Sequence, residues 1–312
     1  MKIAIDISGG DFAPEANILG AIEAQKSLPD DVSLVLIGRR DEIHSSLSEK
    51  KVDPAEFEIV DAPDVITMHD HPTRAIPQKP NSSISVGFKM LANKEIDAFA
   101  STGNTGAMLV GAIYKVNPIP GIIRPCITSL LPRIDGGSSL ILDVGSNADC
   151  KPDVLYQFAI LGSIYAKEIL QIENPKVALL NIGEEESKGN LLTQSTYKIM
   201  QNSEDFNFIG NVEGRDLFNG FADIVVCDGF TGNVVLKEAE GLYTLMKKRG
   251  IKDAYFDRFN YENYGGTPIL GVNSNVIIGH GISNGTAVKN MLIHAYEVTK
   301  SGLTKKIKEA IN

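Results

Sequence analysis

Short apolar runs alternating with helical stretches predict an α/β fold on a largely parallel, buried sheet. Three observations carry that expectation. The runs at 3–5, 140–142, 177–180 and 224–226 are continuously apolar rather than alternating, as in strands covered on both faces. Apolar runs end repeatedly in glycine-rich polar loops, five in all, which is the pattern of strand-to-helix turns. No low-complexity linker and no repeat of fixed period interrupts the chain, so a single domain over 1–312 is expected, with an intimate subdomain in the middle of the chain.

Taken in order, strands are expected near 2–6, 32–37, 57–60, 97–100, 125–130, 138–143, 176–182, 206–210, 222–227 and 275–279, with helices between them. Pro14 should begin the first helix. The stretch 152–170 carries Leu155, Phe158, Ala159, Leu161 and Gly162 at helical spacing and should pack on the sheet. The strand-end loops read DISGGDFAPE (6–15), STGNTGA (101–107), DVGSNADCKP (143–152), LNIGEEESKGN (180–190) and CDGFTGNV (227–234). In such sheets these turns gather at one edge, and backbone N–H groups at helix starts suit an anion. The fourth loop crowds Glu184, Glu185 and Glu186 beside Lys188. It reads either as a reactive loop or as an exposed acidic helix start favoured by the helix dipole.

Composition bounds the function. The chain has 312 residues, 43% hydrophobic and 22% charged, enough for a sizeable core. A formal charge of −9 argues against general nucleic-acid binding, which needs a basic surface. Cys126, Cys150 and Cys227 form neither a disulfide framework nor a zinc pattern and suit a reducing cytosol. No signal peptide and no membrane-spanning run is expected, because the first residues already read as a strand.

These loops, together with QFA (157–159), FIGNVEGRD (208–216), YGG (264–266) and GHGISN (279–284) in the same order, resemble the phosphate acyltransferases of the PlsX family over 2–290. The resemblance implies transfer of a long-chain acyl group from acyl carrier protein to inorganic phosphate, with the acyl phosphate feeding glycerol-3-phosphate acylation in bacterial phospholipid synthesis. It implies a Rossmann-like α/β/α sandwich of the phosphotransacetylase and isopropylmalate dehydrogenase type, a homodimer, and no metal or nicotinamide cofactor. Ser8-Gly9-Gly10-Asp11 has the wrong spacing for a dinucleotide fingerprint, in keeping with that last point. Ser8 stands where the family usually has Met. The segment 241–263 is shorter than the amphipathic hairpin many members carry, so weak peripheral contact at the inner face of the membrane is all it would support.

Attack of phosphate on a thioester needs donors for a dianion, a place for the developing oxyanion and a dry path for the acyl chain. Lys188 is the natural cation, with His280 and Asn181 as the other catalytic candidates. Gly103, Asn104, Thr105 and Gly106, and Asp228, Gly229, Thr231, Gly232 and Asn233, form the two turns expected to bind substrate. His280 stands equally as a structural histidine, and for Asn147, Asn181, Asn211 and Asn233 taken singly the capping of a turn is the safer reading. Arg215 can pair with Glu213 or Asp216 instead of an anion, and Asp6 and Asp11 suit orientation of Lys188 or a backbone turn. Cys150 has no base nearby in sequence and reads as packing, and the His69-Asp70-His71 trio reads as a loop.

Acyl carrier protein is acidic, so a basic docking surface is expected. Lys247, Lys248, Arg249 and Lys252, with Arg258, form the densest basic patch, and Arg39 and Arg40 are the second choice. Two other functions stay open: a phosphotransacetylase using acyl-CoA, and a non-enzymatic acyl-carrier sensor. A downstream glycerol-3-phosphate acyltransferase is a further implied partner.

Overall fold

The computed structural model describes residues 1–311. In chain order the elements are β1 (Lys2–Asp6), α1 (Glu15–Gln25), β2 (Ser33–Gly38), α2 (Arg40–Glu49), β3 (Glu58–Asp61), α3 (Pro72–Gln78), α4 (Ser83–Ala92), β4 (Ala98–Ser101), α5 (Thr105–Gly111), β5 (Cys126–Pro132) and β6 (Ser138–Leu142). There follow α6 (Pro152–Glu168), β7 (Lys176–Leu180), α7 (Leu191–Met200), β8 (Asn207–Val212), β9 (Ile224–Val226), α8 (Gly229–Lys248), β10 (Gly266–Leu270), β11 (Asn275–Gly279), α9 (Gly285–Ser301) and α10 (Leu303–Ile311). They fall into two compact units, one of 1–119 with 261–304 and one of 120–260 with 305–311.

The first unit orders its strands β3-β2-β1-β4-β11-β10. All neighbours are parallel except β10 and β11. Ile3, Ala4, Ile5, Phe99, Val276 and Ile277 are wholly buried, which is why these strands read as unbroken apolar runs. Helix α1 begins at Glu15, with Pro14 as the residue before it. Within α1, the buried Asn17 donates to the carbonyls of Asp6, Ile7 and Gly9, fixing the turn after β1.

The second unit orders β5-β6-β9-β7-β8, antiparallel only between β5 and β6. Helix α6 buries Leu155, Phe158, Ala159, Leu161 and Gly162 against this sheet, as its spacing predicts. The expected strands correspond to described ones with ends shifted by a residue or two. Strand β10 was not foreseen. Pro268 lies inside it and Gly266 opens it, and both residues read as loop because neither favours a strand interior.

Candidate active site

In the first unit, the loops after β1, β4 and β11 leave three neighbouring parallel strands at their carboxyl ends. Asp6 closes β1 and is fully buried. It accepts from Ser101 Oγ at 2.7 Å and from Ser8 N at 3.0 Å, and Ser101 Oγ accepts from Gly103 N at 2.9 Å. Burial pushes the Asp6 carboxyl up, opposed by hydrogen bonds from Ser83, Ser101 and the backbone of Ser8 and Gly9. Asp6 therefore orients a backbone turn. Asn104 caps α5 through Ala107 N at 3.0 Å, and its amide donates to the carbonyls of Thr67 and Asp70. Its side chain is thus committed at both ends. Gly103 is buried, Thr105 exposed and Gly106 half-buried.

His280 ends the β11 turn half-buried, its ring 5.3 Å from that of Tyr261. Asp11 N donates to Gly281 O at 2.7 Å, tying the first loop to this one, while the Asp11 side chain is exposed. The His69-Asp70-His71 trio is a loop element. Asp70 accepts from Lys79 Nζ at 2.7 Å and from Thr67 N and Oγ1, which together hold its carboxyl down to about 2. Among the described residues, no three His, Cys, Asp or Glu side chains are grouped to hold a metal.

In the second unit, the loops after β6, β9 and β7 likewise leave adjacent parallel strands. Asp143, fully buried, accepts from Ile127 N, Ser146 N and Oγ, and Asn147 N and Nδ2, at 2.6–3.2 Å. Asn147 donates its amide to Pro125 O, and its carbonyl accepts from Gly229 N at 2.7 Å. Gly229 is required here because a Cβ would stand 2.5 Å from Asp143 Oδ2 and 2.8 Å from Asn147 O. Asp228 then caps α8, accepting from Thr231 N and Thr231 Oγ1 at 2.8 Å each. Gly232 is buried at the same turn, and Asn233 donates to Val144 O at 3.2 Å. The side chains of Asp228, Thr231 and Asn233 build the turn.

The Lys188 loop is pinned at several points. Asn181 Nδ2 donates to Lys188 O at 3.2 Å, Asn211 Nδ2 donates to Glu184 O and Glu185 O, and Gln194 Nε2 donates to Ser187 O and Gly189 O. The loop is no helix start, since α7 opens only at Leu191 under an Asn190 cap. The Lys188 stem lies over Gly183, where a Cβ would come within 2.8 Å of Lys188 Cγ. Lys188 is exposed, and its ammonium has no hydrogen-bond or ion-pair partner among the described residues. Arg215 pairs with Glu213 at 3.1 Å and reaches Glu184 at 3.9 Å. Asp216 instead closes a capping box with Glu213.

Sequence reasoning passed over Asp143, Asn17 and Gln194. The Asp-x-Gly-Ser-Asn string after β6 was the available signal for the first, because a strand-end Asp followed by small polar residues favours side-chain-to-backbone bonds. Cys150 donates weakly to Asn147 O, and its thiol is pushed up to about 11 by burial and by the carboxylates of Asp143 and Asp228. It is protonated at neutral pH and a poor nucleophile. Cys150→Ser should keep most of the turnover, and an acyl group trapped on Cys150 would contradict this.

Lys247 and Lys248 end α8, Arg249 caps it and Lys252 follows, all four exposed, with Lys247 over the Tyr243 ring at 5.4 Å. Arg258 is not part of this patch: its guanidinium donates to Arg133 O and Gly137 O. Arg39 donates to Pro63 O and pairs with Glu42, and Arg40 donates to Ile59 O, so both are held locally. Tyr255, Phe256 and Phe259 are half-buried and meet one another in edge-on and tilted ring contacts. No helix among the described residues is long and apolar enough to cross a membrane.

The family model described as "Fatty acid synthesis protein" matches residues 1–306. A phosphate acyltransferase of Dictyoglomus turgidum is 44% identical over 332 residues, covering 100% of this chain and 98% of the relative. One from Salinibacter ruber is 39% identical over 329 residues, covering 99% and 97%. The first alignment is longer than the chain, so that relative carries residues this chain lacks. Among solved structures, a phosphotransacetylase from Streptococcus pyogenes superposes with a TM-score of 0.67 at 15% identity, over 96% of this chain and 94% of that one. The EutD phosphotransacetylase from Staphylococcus aureus gives 0.63 at 16% identity, over 96% and 94%. At such identities the likeness establishes the fold alone.

Proposed function

The chain belongs to the fatty acid synthesis protein family of phosphate acyltransferases, and from that premise we propose that it transfers a long-chain acyl group from acyl carrier protein to inorganic phosphate. A phosphate oxygen attacks the thioester carbonyl carbon. The new C–O bond forms as the C–S bond breaks, the electron pair leaves on sulfur, and the thiolate takes a proton from solvent. Thiolate departs readily, so positioning and charge neutralisation carry more of the rate than acid catalysis.

The observation that carries this reading is Lys188: an ammonium without a partner among the described residues, on a loop fixed at both ends that follows β7, whose parallel neighbour β9 leads into α8. It would neutralise the phosphate dianion or the developing oxyanion. Asn181 would hold the loop in place, and the Gly229–Gly232 turn would offer the backbone N–H of Phe230, since those of Gly229, Thr231 and Gly232 are spent on Asn147 and Asp228. In the first unit the Gly103–Gly106 turn and His280 are the groups proposed for substrate. We take the whole chain as one acyltransferase domain, acting as a cytoplasmic homodimer without a cofactor, with its acyl phosphate passed to a glycerol-3-phosphate acyltransferase. Contact with the inner face of the membrane would be weak.

The test is release of carrier thiol from long-chain acyl carrier protein, with and without phosphate and in the presence of a chelator. Release should require phosphate and ignore the chelator. Equal release in phosphate-free buffer sinks the proposal, a preference for acetyl-CoA makes the protein a phosphotransacetylase, and carrier binding with no thiol released makes it a sensor. For docking, Lys247→Glu, Lys248→Glu and Arg249→Glu together should raise the KM for carrier by about tenfold, with little change for phosphate. Wild-type affinity for the carrier should fall with salt. Normal carrier binding by the triple variant at low ionic strength would place docking elsewhere.

A further inference from the structure

Three of the most exposed large apolar side chains of the second unit stand at the sheet edge that bears Lys188. Leu191 is 85% exposed, Ile182 81% and Phe230 67%. The elements that carry them are neighbours: Leu179 of β7 pairs with Val226 of β9, Ile182 lies three positions after the first and Phe230 four after the second. Parallel neighbours lie about 4.8 Å apart. Leu191 opens α7 directly after the Lys188 loop, which the amide of Asn181, next to Ile182, closes onto Lys188 O.

A single exposed apolar residue needs no explanation, but three on the loops and helix starts that follow two neighbouring strands, with the unpaired Lys188 on one of those loops, combine apolar surface with a cation at one edge of the sheet. An amphiphile with a polar reacting end and a hydrocarbon tail matches it. The geometry points to Ile182, Leu191 and Phe230 as the surface that receives the acyl chain of the donor thioester and so sets the preference for long chains. This rests on the proposed transfer reaction and adds its specificity determinants. The thioester carbonyl lies near Lys188 and the tail runs over the three side chains, so each added methylene inside their reach tightens binding.

The test compares kcat/KM for palmitoyl and hexanoyl carrier thioesters in wild type and in an Ile182→Ser/Leu191→Ser/Phe230→Ser variant. The palmitoyl-to-hexanoyl ratio should fall by about thirtyfold or more, in line with the apolar contact removed. Ile134→Ser serves as control, because Ile134 is 74% exposed in the same unit but lies in the turn between β5 and β6. It should leave the ratio unchanged. An unchanged ratio in the triple variant, or an equal fall in the control, overturns the inference while the transfer reaction stands. A wild type that turns over neither donor overturns the reaction itself, and the inference with it. If the triple variant sediments as a smaller species than wild type with its ratio intact, the surface joins two copies of the chain instead.

Discussion

Lys188→Ala should lower turnover by at least tenfold, about 1.4 kcal/mol of transition-state stabilisation, with the melting temperature unchanged. The side chain is exposed and has no partner among the described residues, so its loss removes a charge without opening the core. The loop would keep its shape, because the bonds that pin it run from Asn181, Asn211 and Gln194 to backbone carbonyls and not to the ammonium. Lys188→Arg should recover part of the rate, since it restores charge but not its shape or position. The measurement is kcat at saturating carrier and phosphate beside a calorimetric melt. Full activity in the alanine variant would remove Lys188 from the chemistry.

A larger effect, on stability, is expected at Asp143. Its carboxylate receives donors from Ile127, Ser146 and Asn147, and Asn147 in turn accepts from the backbone of Gly229. Asp143→Ala strands several buried N–H groups at once, each costing about 1–3 kcal/mol. We expect a loss of about 3–5 kcal/mol and a melting temperature lower by roughly 5–10 °C. Asp143→Asn should fall between, because an amide fills the space but turns one acceptor into a donor facing donors. A melt of the alanine variant within about a degree of wild type would show that the cluster does not hold the turn.

The sheet was legible because its inner strands, such as β1, β4, β7 and β9, are buried on both faces and so unbroken in apolar character, and the loops because glycine and asparagine mark their turns. Strand β10 was hidden by Pro268. Which groups of the loops are already spent was not legible, since that depends on partners far along the chain. Asp6 meets Ser101, 95 positions away, and Asn233 meets Val144, 89 positions away. Local sequence could name Asn104, Asp228 and Thr231 as polar turn residues, but only the assembled turns show their side chains bonding back to the fold. Lys188 could be picked out by charge alone, as the one cation in a loop of glutamates, but that none of them forms an ion pair with it was not legible.

The order of strands in the first unit bears on how the chain is made. Strand β11 lies between β4 and β10, and Asn275 at its start bonds to Asp97, 178 positions earlier. On the ribosome, β4 therefore emerges with one hydrogen-bonding edge bare and waits for the whole of 120–260 to be synthesised before its neighbour arrives. The segment in between can close most of its own sheet during that interval, since β5 to β9 are contiguous in the chain. Chain order thus leaves β4 open-edged until β11 is made, and a bare strand edge of that kind is a template for intermolecular strand pairing.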